Sequence, residues 1–213
     1  MYKKRTVSAD HIKDHAAVYF FMIILFLIGI IFGAVIVNSM NFVQKQDLFF
    51  YLDRFFGKML EGPDVNNQDI FVSSLFYHIK YLLLLFVLGL SVIGMPIIWI
   101  LLFIKGIVVG FSVGFFVNQM GWKGLLLATA SIAPQNLLII PVYLIAGSLA
   151  MIFSINLLRK LFSQKLHQPL LPLFMRYGTF FFALFLVVGV ASLIESFVAN
   201  EAMQLVIKWI YNN

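Results

Sequence analysis

Long apolar runs dominate the sequence and restrict what it can fold into. The first run, residues 16–37, holds about 22 residues, and a helix needs about 20 apolar residues to cross a bilayer. Further runs of this kind occupy 81–104, 106–122, 124–158 and 177–198. Hydrophobic residues make up 62% of the 213 residues and charged residues 11%, against about 45–50% and 25% in soluble domains. The pattern predicts an all-α integral membrane protein with five transmembrane helices.

Polar and amphipathic segments flank and separate these runs. The tail 1–15 precedes an apolar run too long for a signal peptide, so we expect the first span to be uncleaved. A long loop covers 38–80, a basic loop covers 159–176, and the amphipathic tail 199–213 is predicted to be a short interfacial helix.

The second and third predicted spans contain three features built on glycine. Gly94-Met95-Pro96, near the middle of 81–104, predicts a kink, because neighbouring helices can satisfy the backbone groups that a proline frees. Lys105-Gly106 is interpreted as a tight turn into the third span. That span carries a glycine every four residues, which favours close packing against another helix, preferably one of this chain; the three glycines are Gly106, Gly110 and Gly114.

The run 124–158 is too long for one span and too short for two. Pro134 and Pro141 interrupt it, so we predict a half-helix at 124–132 joined to a full span at 136–158. The polar amides Gln135 and Asn136 lie at the joint, where we expect them to satisfy freed backbone groups. A second small-residue face follows on this fourth span, formed by Ala146, Gly147 and Ala150.

An amphipathic helix is predicted within the loop 38–80. Its apolar stripe recurs at three- and four-residue spacing and consists of Leu48, Leu52, Phe55, Phe56, Met59 and Leu60. Two interpretations are equally favoured: the stripe packs against the spans, or it lies flat in the lipid interface. It is also a candidate partner surface.

The distribution of basic residues predicts the orientation. With the N-terminus in the cytoplasm, the cytoplasmic segments hold Lys3, Lys4, Arg5, Lys13, Lys105, Arg159, Lys160, Lys165 and Arg176. The other side holds fewer, namely Lys45, Arg54, Lys58, Lys80, Lys123 and Lys208. Because cytoplasmic loops carry the excess of lysine and arginine, we predict a cytoplasmic N-terminus and an extracytoplasmic C-terminus, loop 38–80 and tail.

Few residues suit catalysis. The chain has no cysteine, which excludes disulfides and thiolate chemistry, and its basic residues follow no nucleic-acid-binding motif. The spacing brings no serine next to a histidine, and the four histidines are predicted on opposite sides of the membrane: His11, His15, His78 and His167. We therefore predict no enzyme, no metal site and no cofactor. Glu195 is the one candidate for an ion pathway, although its position near a span end favours the headgroup region.

Several of these residues together resemble the stage II sporulation protein M family. The resemblance lies in K-G-I-V-V-G at Lys105–Gly110, I-A-P-Q-N-L-L-I-I-P ending at Pro141, and Ala146-Gly147. Broader members of that family read P-H-G-x-x-E-x-P where this chain has Pro134 and Pro141. The histidine, glycine and glutamate positions carry Gln135, Asn136 and Ile139, which removes a titratable pair from the joint.

The resemblance implies a scaffold of the sporulation engulfment complex. Such a protein sits in the mother-cell septal and engulfing membrane of spore-forming Gram-positive bacteria. Its implied partners are the stage II sporulation proteins D and P, which are peptidoglycan hydrolases, together with the lipid bilayer and no nucleic acid. The alternative function is a transport or channel subunit for a small solute or lipid, with the break at Pro134 and Glu195 as its pathway.

Overall fold

The computed structural model describes residues 15–61, 67–162 and 171–212, and within these ranges the chain is helical apart from short turns. In chain order the helices are α1 (Ala16–Ser39), α2 (Phe42–Glu61), α3 (Asn67–Gly89), α4 (Gly94–Ser131), α5 (Ala133–Phe162), α6 (Leu171–Ile194), a π-helical segment (Glu195–Ala199) and α7 (Asn200–Asn212). Residues 1–14 of the predicted tail 1–15 and residues 163–170 of the predicted basic loop 159–176 lie outside the described residues.

Five helical stretches are long and apolar enough to cross a membrane. They are α1, α3, α4, α5 up to Lys160, and the continuous stretch from Leu171 to Ile210. The predicted all-helical class and the predicted number of spans are confirmed. Helix α5 is the most buried of the five and contacts α1, α3, α4 and α6, so it forms the centre of the bundle.

The predicted border between the second and third spans is wrong. The second span is α3, which ends at Gly89, and the chain reverses at 90–93 instead of at Lys105-Gly106. Pro96 then lies in the first turn of α4, where its missing N–H takes no hydrogen bond from the helix. Gly94-Met95-Pro96 therefore marks the start of a span and not a kink within one.

Helices α1 and α4 pack at very close range through glycines. A Cβ built on Gly106 or Gly110 would collide with the backbone carbonyl of Phe26 or Ile30 in α1, whereas one on Gly114 would lie 3.3 Å from the Ala34 Cα. The contact is reciprocal, because a Cβ on Gly29 or Gly33 of α1 would meet the carbonyls of Phe103 and Ile107. Such interlocked small residues allow membrane helices to approach backbone to backbone.

The small residues of α5 contact two other helices. Ala146 and Ala150 are fully buried. A Cβ built on Gly89 would lie 2.9 Å from Ala150, and one on Gly147 would lie 2.6 Å from the side chain of Leu102. This face therefore receives the end of α3 and the first third of α4.

Helix α4 changes direction at Gly121, whose φ of 55° and ψ of −126° are not helical. The stretch from residue 122 to Ser131 follows, and Ile132 separates it from α5. Pro134 falls in the first turn of α5, and Pro141 lies inside that helix. Asn136 Nδ2 donates to the Ile132 carbonyl oxygen at 2.8 Å, so the amide satisfies a backbone group at this boundary.

Candidate functional site

Glu195 collects polar side chains from three helices. It begins the π-helical segment, directly after α6, and its carboxylate accepts a hydrogen bond from the Ser74 hydroxyl of α3. The Ser74 hydroxyl also lies 3.3 Å from the Ser192 hydroxyl of α6, and both serines are buried. Because π turns and intramembrane carboxylates both occur preferentially at functional positions, this cluster is the candidate site.

His78 connects this carboxylate to the centre of the bundle. Its Nε2 lies 3.4 Å from Glu195 Oε2, and its Nδ1 lies 2.6 Å from the Tyr143 hydroxyl of α5. His78 is only 7% exposed, while the Glu195 side chain is 25% exposed. The histidine therefore closes the inner side of the site and leaves the carboxylate partly accessible.

Gln135 completes the surroundings of Glu195 from the start of α5. With its amide nitrogen turned toward the carboxylate, it donates to Oε1 at 2.5 Å and to Oε2 at 2.7 Å. Two hydrogen bonds from one amide hold the carboxylate between α5 and the π-helical segment. The side chain that fills the family motif's histidine position thus contacts an ionisable group of another helix.

Lys105 places a second charge near the site. It lies within α4, and its ammonium nitrogen donates to the Tyr77 hydroxyl at 2.7 Å. Three tyrosine rings surround this nitrogen, with centroid distances of 4.4 Å to Tyr77, 4.7 Å to Tyr81 and 5.0 Å to Tyr143. Aromatic faces attract cations, so these rings take over part of the role of water.

A groove leads to Glu195 along α3. It has a volume of about 450 Å³ and is lined by Asp69, Ile70, Ser73, Ser74, Tyr77 and Glu195. Asp69 lies in the first turn of α3, so the groove runs from the beginning of that helix to the carboxylate. The site therefore has an access route whose entrance is acidic.

Sequence reasoning missed this cluster. It left Gln135 without ionisable neighbours, and the contact of the Gln135 amide with Glu195 shows that this interpretation is wrong. It also did not bring His78 and Glu195 together, although they lie 3.4 Å apart. It also did not anticipate that Ser74 and His78 both contact the same carboxylate, that of Glu195. Their four-residue spacing was a usable signal, because residues one turn apart share a helix face. The mistaken start of the second span, at 81, hid it.

The predicted partner surface divides between buried and exposed positions. Phe56 is 3% exposed and packs with Leu127 of α4 and Ile207 of α7, while Leu52 is partly buried against the same cluster. Leu48 and Phe55 line a groove of about 470 Å³ against α4. Phe55 remains 49% exposed, and the side chain of Met59 lies outside the described residues.

Exposed aromatic side chains surround this packed cluster. Phe42, Phe50 and Tyr51 of α2 are 73%, 58% and 68% exposed, and Trp122 is 72% exposed. Helix α2, the stretch 122–131 and α7 therefore form one layer, here called the end layer, with apolar groups both inside and outside. Across residues 15–61, 67–162 and 171–212, no three histidine or carboxylate side chains come close enough together to hold a metal ion.

The fold and this cluster define a multi-span helical membrane protein with a polar site inside its bundle. The family model of Stage II sporulation protein M matches residues 22–200, which is most of the chain. The protein belongs to that family. Comparisons with curated proteins and with solved structures find no match.

Proposed function

We propose that this protein is a non-enzymatic membrane scaffold of the sporulation engulfment complex. It anchors or recruits peptidoglycan hydrolases, the stage II sporulation proteins D and P, at the septum and the engulfing mother-cell membrane. Membership of the family over residues 22–200 is the observation that carries the proposal. The same membership supports a role for a membrane protein in sporulation.

The end layer supports the scaffold proposal because it presents aromatic side chains that could bind another protein. Its inner side chains Phe56, Leu127 and Ile207 hold the three elements together. Its outer aromatic side chains, Phe50 and Tyr51 among them, remain exposed on α2. Exposed aromatic groups on a fixed support are typical of protein interfaces. The candidate partner surface therefore consists of the outward face of α2, not of Phe56.

Photo-crosslinking in sporulating cells tests the scaffold proposal. A photoreactive residue at Tyr51 of α2 is expected to capture a wall hydrolase during engulfment. The same residue at Ile31 of α1, which is 65% exposed on a predicted lipid-facing surface, is the matched control and should capture none. Recovery of no hydrolase from Tyr51, together with none in a pull-down of the whole protein, would contradict the scaffold function.

A second candidate function is a subunit that transports a small solute or lipid. The polar cluster favours it, because Glu195 lies in a groove and has Ser74, His78 and Gln135 as neighbours. Asn136 and Pro141 line a separate, mostly apolar cavity of about 430 Å³. Broken helices and intramembrane carboxylates are features of transporter sites.

Substitution of the polar groups separates the two functions. Apolar replacements at Gln135, Asn136 and Glu195 should leave a scaffold assembled and engulfment intact. Loss of engulfment with normal membrane insertion and normal hydrolase recovery would favour transport instead. Hydrolase recovery must therefore be measured in the same cells as engulfment.

A further inference from the structure

We propose that Glu195, Ser74, Ser192 and Gln135 form a binding site for a small monovalent cation, Na⁺. The carboxylate and the Ser74 hydroxyl are in direct contact, and the Ser192 hydroxyl is 3.3 Å from that of Ser74. The Gln135 amide reaches both carboxylate oxygens. Hard cations prefer such oxygen ligands, and the site supplies them from four separate points of the sequence.

The charges around the site favour a single positive charge. Glu195 is the one carboxylate in the ligand set, so a monovalent cation makes the set neutral. Within the described part of the chain, His78 is the basic side chain within 4.0 Å of Glu195, and a neutral imidazole can donate from Nε2 while Nδ1 accepts from Tyr143. Lys105 is directed to Tyr77 and the tyrosine rings. The other charged group at the groove is Asp69, which attracts cations.

The Gln135 amide can pair with Glu195 both when the site is empty and when it holds a cation. Its amide carries a donor nitrogen and an acceptor oxygen, and rotation of the amide exchanges the atom that faces Glu195. With a free carboxylate, the nitrogen faces Glu195 and donates at 2.5 and 2.7 Å. With a bound cation, rotation of the amide presents the oxygen instead. A single rotation of the Gln135 amide therefore serves both states.

The groove gives the cation a route that avoids the lipid. Asp69 stands at its entrance, and Ser73 and Tyr77 line its wall before Glu195 is reached. A volume of about 450 Å³ has room for several water molecules, each of which occupies about 30 Å³ in the liquid. The cation can thus remain hydrated until it meets the carboxylate. Binding at this site does not depend on the scaffold function and requires no transport.

Thermal unfolding of the purified full-length protein in nanodiscs tests the proposal. A ligand that binds the folded state raises the unfolding midpoint, so we expect a midpoint several degrees higher in NaCl than in choline chloride of equal ionic strength. Glu195→Gln should abolish this difference, and Ser192→Ala should reduce it. Glu201→Gln, which removes an exposed carboxylate of α7 outside the site, is the matched control and should retain the full difference.

Direct binding of radioactive ²²Na⁺ to the wild type and to Ser192→Ala provides a second measurement if Glu195→Gln fails to fold. Equal midpoints in the two salts, or a sodium effect that persists in Glu195→Gln, would overturn the proposal.

Discussion

Ser148 and Ser154 of α5 are both fully buried, but their hydroxyls bind different partners. Ser148 Oγ donates to Leu144 of its own helix at 2.7 Å. Ser154 Oγ lies 2.8 Å from the carbonyl oxygens of both Gly89 and Ser91, at the point where the chain leaves α3 and turns toward α4. Carbonyls freed by a helix end need such partners in a membrane, where water is absent.

We expect Ser154→Ala to lower the free energy of unfolding by about 2 kcal/mol, because the Gly89 carbonyl would lose the hydroxyl donor, whereas the Ser91 carbonyl also accepts from the Gly94 N–H. Ser148→Ala should have little effect, since the Leu144 carbonyl keeps its bond within the helix. Unfolding of both variants in mixed detergent micelles measures the difference. Equal losses would show that Ser154 does not stabilise the chain reversal.

At the scale of elements, the contact between α1 and α4 depends on glycines of both helices. Residues four apart on one helix meet the backbone of the other in register. This geometry makes the cost of a methyl group different at each position. Gly110 faces the Ile30 carbonyl oxygen directly, whereas Gly114 has 3.3 Å to the Ala34 Cα and Gly178 of α6 has no neighbour within 4 Å.

Gly110→Ala is therefore expected to destabilise the bundle by about 2 kcal/mol, since neither backbone can give way. Gly114→Ala should cost less. Gly178→Ala, the control, should gain up to about 1 kcal/mol from helix propensity alone. Unfolding midpoints of the three variants in the same detergent test the order, and an unaffected Gly110→Ala would contradict the close contact.

A substitution at Gly121 measures the contribution of backbone conformation to stability, separately from packing. It has no neighbour within 4 Å, but its φ is 55°, a value that residues with a side chain rarely adopt. We expect Gly121→Ala to cost about 1–3 kcal/mol through backbone strain. Gly178→Ala, in equally open space but within a regular helix, should change stability in the opposite direction. Stabilisation by both substitutions would show that α4 does not need this turn.

The sequence predicted elements better than it predicted their borders. Five spans, the amphipathic α2 and the glycine positions of α4 follow from hydrophobicity and spacing that local sequence contains. The chain reversal at 90–93 does not follow from local sequence, because Gly94-Met95-Pro96 fits either a kink or a helix start. Ser154, whose hydroxyl donates to the Gly89 carbonyl at this reversal, lies far along the chain. The site around Glu195 could not be predicted from local sequence either, because it joins residues up to 121 positions apart.

At the scale of the whole molecule, the end layer requires that its three segments lie on the same side of the membrane. Phe56, Leu127 and Ile207 pack together, so α2, the stretch 122–131 and α7 lie at one end of the bundle. Lys80 and Lys105 lie well away from the ends of the spanning helices α3 and α4, so they no longer count as residues that flank a span. By sequence, the remaining basic residues still favour the segments predicted to be cytoplasmic: Lys3, Lys4, Arg5, Lys13, Arg159, Lys160, Lys165 and Arg176 against Lys45, Arg54, Lys58, Lys123 and Lys208.

We therefore expect a reporter fused after Asn213 to be active outside the cytoplasm. An alkaline phosphatase fusion should show activity, and a green fluorescent protein fusion at the same position should not fluoresce. The opposite pair of results would invert the whole molecule. Because the three segments pack together, it would also place α2 and its exposed aromatic side chains in the cytoplasm.

The π-helical segment also determines which way the side chains of the following helix, α7, face. Each residue added to a helix turns the residues beyond it by about 100°. The wider turn at Glu195–Ala199 lets Glu195 and Ser196 face α3 while Ile207, three turns later, faces Phe56 and Leu127. Loss of one residue here would restore a regular helix and rotate α7 away from α2. This one wide turn of the helix thus allows the polar site and the end layer to form their contacts at the same time.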